Sequence, residues 1–455
     1  MSGPERHLPG AARASTRPGP VRQASAPNGA SAPSPSPSVD QLGLRAAVVV
    51  FLSFALAYFF SALVRAITAT ISPTLSVELA LNASDLGLLA GGYFFGFALT
   101  QLPLGNWLDR HGPRRVILAF LSLAVLGCVA FALATSFSGL LAARVLTGMG
   151  VSACLMAPLT GYRRWLAPAA QMRANSWMLM TGSLGMVAAT LPVQWLMPLM
   201  GWRGLFWALA ALIVLSMVGI AAAVPPWRQA VAQPLSHEAS GTPSGYGLIW
   251  RHPYFRQMLP IGFVNYGGMV AVQTLWAGPW MVKVAGYTPQ QSAAGLFGIN
   301  LSMLGAFWLW GIVNPRLVQR GLSAERLIAW GLPLSLGVLA AIVLLGAGAG
   351  WPLWALFCVS STFVALSQPA VALALPAEAA GRALSAYNLA IFSGVFAVQW
   401  GIGLVIDAFS ALGWSEPDRY RAAMGVFLLC CVLAYLGFLR PYVRSQARNA
   451  GLQQG

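Results

Sequence analysis

The sequence predicts an all-α integral membrane protein with 12 transmembrane helices in two six-helix bundles. Three observations carry this reading. Of the 455 residues, 57% are hydrophobic and 8% are charged. A soluble domain carries about 25% charged residues, so a soluble fold of this composition would lack the polar surface to cover its core. The apolar residues come as twelve runs, each long enough to cross roughly 30 Å of hydrocarbon as a helix. The runs are also too long and too uniformly apolar for barrel strands, which alternate, and only helices and closed barrels satisfy their backbone groups in lipid.

Residues 1–42 are rich in Pro, Ser, Ala and Gly and show no apolar periodicity, the composition of a disordered tail. They contain no compact apolar stretch followed by a cleavage site, so the first span is expected to act as its own insertion signal. The runs follow at 46–72, 84–107, 115–134, 137–161, 173–199, 202–224, 257–284, 290–314, 324–347, 351–376, 383–408 and 420–440. A polar segment at 225–256, containing Pro225, Pro226, Pro234 and Pro243, divides them six and six. The expected bundles are 43–224 and 257–440, joined by that linker and followed by a tail at 441–455. A weak internal repeat supports two related halves. Val193-Gln194-Trp195 followed by Gly201-Trp202 echoes Val398-Gln399-Trp400 followed by Gly413-Trp414, and Arg173-Ala174-x-Ser176 echoes Arg382-Ala383-x-Ser385.

Charge sets the orientation. With the N-terminus in the cytoplasm, 21 of the 27 Lys and Arg fall in cytoplasmic segments, 4 in external loops, and 2, Arg65 and Arg144, inside spans. The positive-inside rule therefore places both termini in the cytoplasm. The net charge of +16 is scattered in small groups between apolar runs, which argues against a nucleic-acid surface. Cys128, Cys154, Cys358, Cys430 and Cys431 lie in apolar runs without metal-ligand spacing, so neither a disulfide framework nor a metal site is expected. His7, His111, His237 and His252 all fall in loops. There is no Gly-x-x-x-x-Gly-Lys loop, and no cofactor or catalytic activity is expected. The polar segments are too short for a sensor or output domain.

Two charged motifs interrupt the apolar pattern. Residues 105–116 read GNWLDRHGPRRV and join the second and third spans. Gly105 permits close helix approach, Gly112 supplies a turn, and Pro113 suits the first turn of a helix. By charge alone, Asp109, Arg110, Arg114 and Arg115 are a solvated cytoplasmic turn. The other motif is Arg144-x-x-x-Gly148-x-Gly150 in the fourth span. An arginine inside a span costs about 2.5–3.5 kcal/mol on insertion scales, so Arg144 must face the protein interior or a water-filled cavity. It either braces helices structurally or serves substrate and coupling.

The first motif resembles the loop between helices 2 and 3 of the major facilitator superfamily, and the second resembles that superfamily's fourth-helix pattern. The resemblance covers residues 44–440. It implies two bundles that rock about a central site, with Gly105, Asp109, Arg110, Gly112, Arg114 and Arg115 as a gating loop. In the family the aspartate pairs with helix ends and arginines when the transporter faces outward. The counterpart loop at 314–326 keeps Arg316, Arg320 and Arg326 but has no aspartate, so an acidic latch is expected on one side only.

Arg65 is the candidate substrate contact. Tyr58, Ser61 and Thr68 share its helical face, at offsets of −7, −4 and +3. Snorkelling to the surface is the simpler alternative. The stretch from Phe60 through Asp109 resembles the organic-anion and nitrate/nitrite branches, which implies that Arg65 receives an anion, and its fork suits a carboxylate. In the second half Tyr266, Gln273, Trp276 and Trp280 share one face, and Asn300, Gln368, Asn388 and Gln399 add amides. Each of these could also simply bridge helices. The expected binding residues are Arg65, Arg144, Tyr58, Gln273, Trp276 and Gln399. No Asp or Glu lies near the middle of a span, and Val64 stands where several organic-anion symporters carry an acid. The expected protein is a monomeric secondary transporter, or symporter, of a small organic anion in a bacterial inner membrane, its coupling ion open. The alternative is an efflux antiporter for amphipathic compounds. The stretch TGSLGMVAATLP, with Gly182, Gly185 and Pro192, lacks the drug-antiporter pattern, and the nitrate pattern is also not evident.

Overall fold

A backbone in lipid must satisfy its own hydrogen bonds, and among the described residues helices do this in every span. The computed structural model describes Gly3, residues 41–227 and residues 246–452. The expected disordered tail and the greater part of the expected linker lie outside the described residues.

Among the described residues, nine helices are long and apolar enough to cross a membrane unaided. They supply the first span (Leu44–Glu78), the fourth (Phe137–Trp165), the eighth (Pro289–Asn314), the ninth (Ala324–Gly348), the tenth (Trp351–Leu373), the eleventh (Ala379–Ala411) and the twelfth (Glu416–Val443). The third and sixth spans are the later parts of Gln101–Leu133 and Leu191–Ala223. The remaining three of the twelve spans are composites. The second runs through Ala83–Leu99 and on to a break at Gly112, and the fifth runs through Pro168–Ala188 and on to a break at Gly201. Gly112 (φ 76°) and Gly201 (φ 64°) both take left-handed backbone angles that end the helical path. The seventh span strings together Pro253–Pro260, a π turn at Ile261–Tyr266, Gly267–Ala271, a second π turn at Val272–Trp276, and Ala277–Lys283. The last helix runs unbroken from Glu416 to Leu452, through positions where a tail was expected.

Local sequence explains where the helices begin. Asn82 and Asp85 form a reciprocal capping box, with the Asp85 N–H donating to Asn82 at 2.7 Å and the Asn82 N–H donating to Asp85 at 3.3 Å. Ser136 and Ser323 cap their helices by accepting from Gly139 and Arg326. Pro168, Pro192, Pro253 and Pro352 sit in first turns, where a missing N–H costs nothing.

The buried side chains form two cores. One draws on Val50 to Val224, and the other on Ile249 to Phe438. Few residues cross over: Ala271 and Val395 belong to the first core, and Ala69, Leu86 and Ala90 to the second. They lie on the first, second, seventh and eleventh spans, which make the seam between the halves.

Glycines set how closely helices approach. A Cβ at Gly96 would meet the Val145 oxygen at 2.1 Å, one at Gly148 the Tyr93 oxygen at 1.9 Å, and one at Gly150 the Ala124 nitrogen at 2.1 Å. Gly148 and Gly150 therefore let the fourth span lie directly on the second and third, as small residues do between membrane helices. Gly394 does the same in the second half, against the Phe263 oxygen. Replacing Gly148 with valine forces a branched side chain into backbone. We expect a loss of about 1–3 kcal/mol or more, seen as a lower melting temperature and loss of the monodisperse peak in size-exclusion chromatography.

Candidate functional site

Arg65 sits in the first span and is half-buried. Its guanidinium carbon lies 6.0 Å from the Phe97 ring centroid. The hydroxyls of Tyr58 and Tyr93 and the thiol of Cys154 lie within its electrostatic reach. Tyr266 of the seventh span also reaches Arg65 and Tyr58, so the site draws on both halves. The Arg65 Nε is buried and has no hydrogen-bond partner among the described residues. An unmet charged donor of this kind is costly in a low-dielectric interior, and a bound anion would satisfy it.

The expected polar stripe on the first span divides in two. Tyr58 faces Arg65, with its ring packed where a Cβ on Gly182 would stand 2.5 Å away. Thr68 instead belongs to Arg144. The Arg144 side chain is 1% exposed. Its Nη1 donates to the Val64 carbonyl at 3.1 Å and its Nη2 to the Thr68 hydroxyl at 2.5 Å. Its guanidinium lies 5.4 Å from the Tyr93 ring centroid and 5.9 Å from that of Phe131. Arg144 therefore ties the fourth span to the turn of the first that carries Arg65. In this conformation its terminal nitrogens are occupied by protein groups.

From Tyr266 a chain of neutral groups continues into the second half. The Tyr266 hydroxyl stands 3.5 Å from the Gln368 carbonyl, and Gln368 Nε2 donates to Asn388 Oδ1 at 2.5 Å. Tyr266 and Gln368 are half-buried, so this chain, like Arg65, remains reachable. Gln273, Trp276 and Gln399 form a separate, drier cluster. Gln273 donates to Asn300 at 3.0 Å, the Trp276 indole donates to the Gln399 carbonyl at 3.1 Å, and Gln399 Nε2 donates to Thr274 at 2.9 Å. Gln399 Oε1 has no partner among the described residues. The two π turns set this pattern, because a widened turn rotates Tyr266 and Gln273 off a single α-helical face.

The seam is closed along the second and eleventh spans. Asp407 accepts the N–H of Ala83 at 3.1 Å and of Ser84 at 2.8 Å. Gly403 lies against the Ala83 backbone, Gly87 against the Gln399 carbonyl and Gly91 against Phe396. Phe392 meets Phe97 at 4.4 Å and Phe94 at 6.3 Å between centroids. These contacts begin at the start of the second span, and Asp109 lies at its far end. At that end Gly105, Asp109, Arg110 and Arg115 are exposed. Among the described residues Asp109 takes no hydrogen bond or ion pair. Arg114 donates to the Ala221 carbonyl at 2.5 Å, and Gly112 is covered by Trp227. Sequence reasoning did not find Tyr93, Phe97 or Phe392, whose only signal is an aromatic residue in an already apolar helix.

Comparison with known proteins is consistent with this geometry. The family model described as Major Facilitator Superfamily matches residues 54–399. A 4-hydroxybenzoate transporter of Acinetobacter baylyi is 26% identical over 310 residues, covering 60% of this chain and 65% of that protein, so the match spans just under two thirds of that relative. A multidrug resistance protein of Salmonella typhimurium is 27% identical over 275 residues, covering 59% of this chain and 62% of that protein. A bacterial homologue of the human lysosomal transporter Spinster, solved inward-facing and unoccupied, superposes with a TM-score of 0.71 at 16% identity, covering 87% of this chain and 97% of that one.

The two arginines are expected to respond differently to truncation. Arg144→Ala opens a hole between three helices and should cost about 2–5 kcal/mol. Arg65→Ala should cost under about 1 kcal/mol, as at sites away from close packing. Melting temperatures of the two purified variants in the same detergent check this.

Proposed function

The chain belongs to the Major Facilitator Superfamily, and on that footing we propose that it carries a small organic monoanion, by alternating access about Arg65. It is a secondary transporter of small solutes, and the anion is the finer reading. The observation that carries it is Arg65 itself, a half-buried guanidinium inside a span beside three tyrosines of which one comes from the other half. The opposing Tyr266–Gln368–Asn388 chain carries no charge. It suits a neutral hydrogen-bonding group on the same solute, and one guanidinium balances one negative charge. The named activity of the 4-hydroxybenzoate transporter supports this substrate class. Arg144 acts indirectly here, as the brace of the turn that presents Arg65.

The remaining assignments follow from the same premise. The halves are 43–224 and 257–440, with 225–256 as the linker, and the unit is a monomer in a bacterial inner membrane. The distribution of Lys and Arg supports cytoplasmic termini. The Asp109 loop is then cytoplasmic and the Asp407 seam external. Among the described residues Asp109 has no partner, which supports an inward-facing state, because the family's pairing at this loop belongs to the outward-facing form.

Efflux of amphipathic compounds is the second reading. The multidrug relative and the aromatic wall of Phe97 and Phe392 favour it. A thermal-shift screen of the purified protein against aromatic and aliphatic monocarboxylates, dicarboxylates and lipophilic cations separates the two. Stabilisation by monocarboxylates, 4-hydroxybenzoate among them, supports the anion reading, and stabilisation by cations alone overturns it. With the stabilising anion, Arg65→Gln should weaken binding about 10- to 100-fold, since hydrogen bonds to a charged group are worth about 1.5–3 kcal/mol. Uptake should fall to background while the variant stays in the membrane. Unchanged affinity in Arg65→Gln removes this residue from the site.

A further inference from the structure

Among the described residues no carboxylate acts on Arg65, but the seam holds one. Asp407 is half-buried at the end of the eleventh span. Its two oxygens accept the N–H groups of Ala83 and Ser84, the first residues of the second-span helix. A carboxylate from one half therefore occupies the positive end of a helix in the other. Among the described residues it is the one carboxylate hydrogen-bonded across the halves, since Glu78 meets Trp202 and Arg203, Glu325 meets Tyr254, and Glu416 meets Lys283 and Arg419. The glycine contacts at Gly87, Gly91 and Gly403 need the two helices in this register, so the cap and the close approach stand or fall together.

The charged surroundings leave Asp407 dependent on those backbone donors. From the second span, Asp85 is committed to the capping box with Asn82. From the twelfth, Tyr420 lies within Coulombic reach of Asp407, Glu416 and Arg419. Glu416 draws Arg419 to 3.1 Å and Lys283 of the seventh span to 3.1 Å, and Arg419 also donates to Ser410. The nearby cations are thus engaged with Glu416.

We propose that Asp407 is the proton-binding group that couples transport to a proton gradient, by controlling this seam. A proton taken from solvent on the Asp407 face forms an O–H on the carboxyl and cancels its charge. The protonated oxygen stops being a good acceptor, so only one of the Ala83 and Ser84 N–H groups keeps a carboxyl partner, and the attraction of the charge to the helix end is lost. The closed seam therefore requires ionised Asp407, and the protonated form favours opening on that face. A proton supplied there opens the path by which a solute from the same side can enter, which is what symport needs. This rests on the transport reading but not on the identity of the solute.

The test uses the full chain in lipid nanodiscs. Spin labels go at Val77→Cys and Leu412→Cys, which are 86% and 71% exposed on the two sides of the seam. The background carries Cys430→Ser, because Cys430 is exposed. As pH falls from about 8 to about 3, past the reference aspartate value of about 3.9, a longer-distance population should grow. Asp407→Asn should show that population at both values, while Asp85→Asn and Glu416→Gln should keep the pH response. A native distance indifferent to pH, an Asp407→Asn variant that still follows pH, or a response abolished by Asp85→Asn each overturns the proposal. The distances need no substrate, so their failure leaves the anion reading standing. A failed ligand screen likewise leaves the seam result intact.

Discussion

A guanidinium in a membrane interior must be surrounded by acceptors, and that requirement on Arg144 organises the first half. Its two terminal nitrogens reach Val64 and Thr68 on the first span, and its flat faces lie near Tyr93 and Phe131. These contacts need the fourth span close to the second and third, which Gly148 and Gly150 allow together with Gly96 and Gly127. The arginine and the glycines of the motif are thus one device, with one residue that must be enclosed and two that let neighbours enclose it. Because Val64 precedes Arg65, the turn that displays the second arginine is held by the first.

The two arginines differ in what satisfies them. Arg144 is buried and spends both terminal nitrogens on protein groups, whereas Arg65 is half-buried; the Nε of each is buried without a partner among the described residues. Two arginines 79 positions apart thus differ in what holds their terminal nitrogens, one bracing helices and the other facing tyrosines from both halves. The seam adds the third part. Aromatic rings close it near Arg65, glycines bring its backbones together, and a carboxylate fastens its end.

Much of the fold was legible in the sequence because bilayer thickness sets the length of an apolar run. The twelve runs correspond to the spans, even where the second, fifth and seventh are pieced together from shorter helices. Arg65 was legible for a related reason, since a cation in hydrocarbon demands an explanation. What escaped depended on partners rather than on residue type. Thr68 lies on the same helical face as Arg65 in sequence spacing, yet it bonds to Arg144 on another helix. Gln273 and Trp276 read as cavity residues, but the π turns of the seventh span rotate them into a buried cluster with Gln399 of the eleventh. Asp407 was visible as an acid near a helix end, but its partners are backbone N–H groups, which no side-chain pattern encodes. The expectation of a single acidic latch therefore overlooked the carboxylate that closes the opposite face.

The missing counter-charge at Arg65 has an electrical consequence. With a monoanion in place the charge of Arg65 is balanced and that of Arg144 remains, and without one both guanidiniums are uncompensated. Most of a membrane potential falls across whichever seam is shut, so alternating access moves the site from one end of the voltage drop to the other. On this reading the loaded and the empty carrier differ by one charge in what they carry through the field, a difference of about 2.3 kcal/mol per 100 mV. The resting potential would then bias which side the vacant site waits on, before any solute or proton binds.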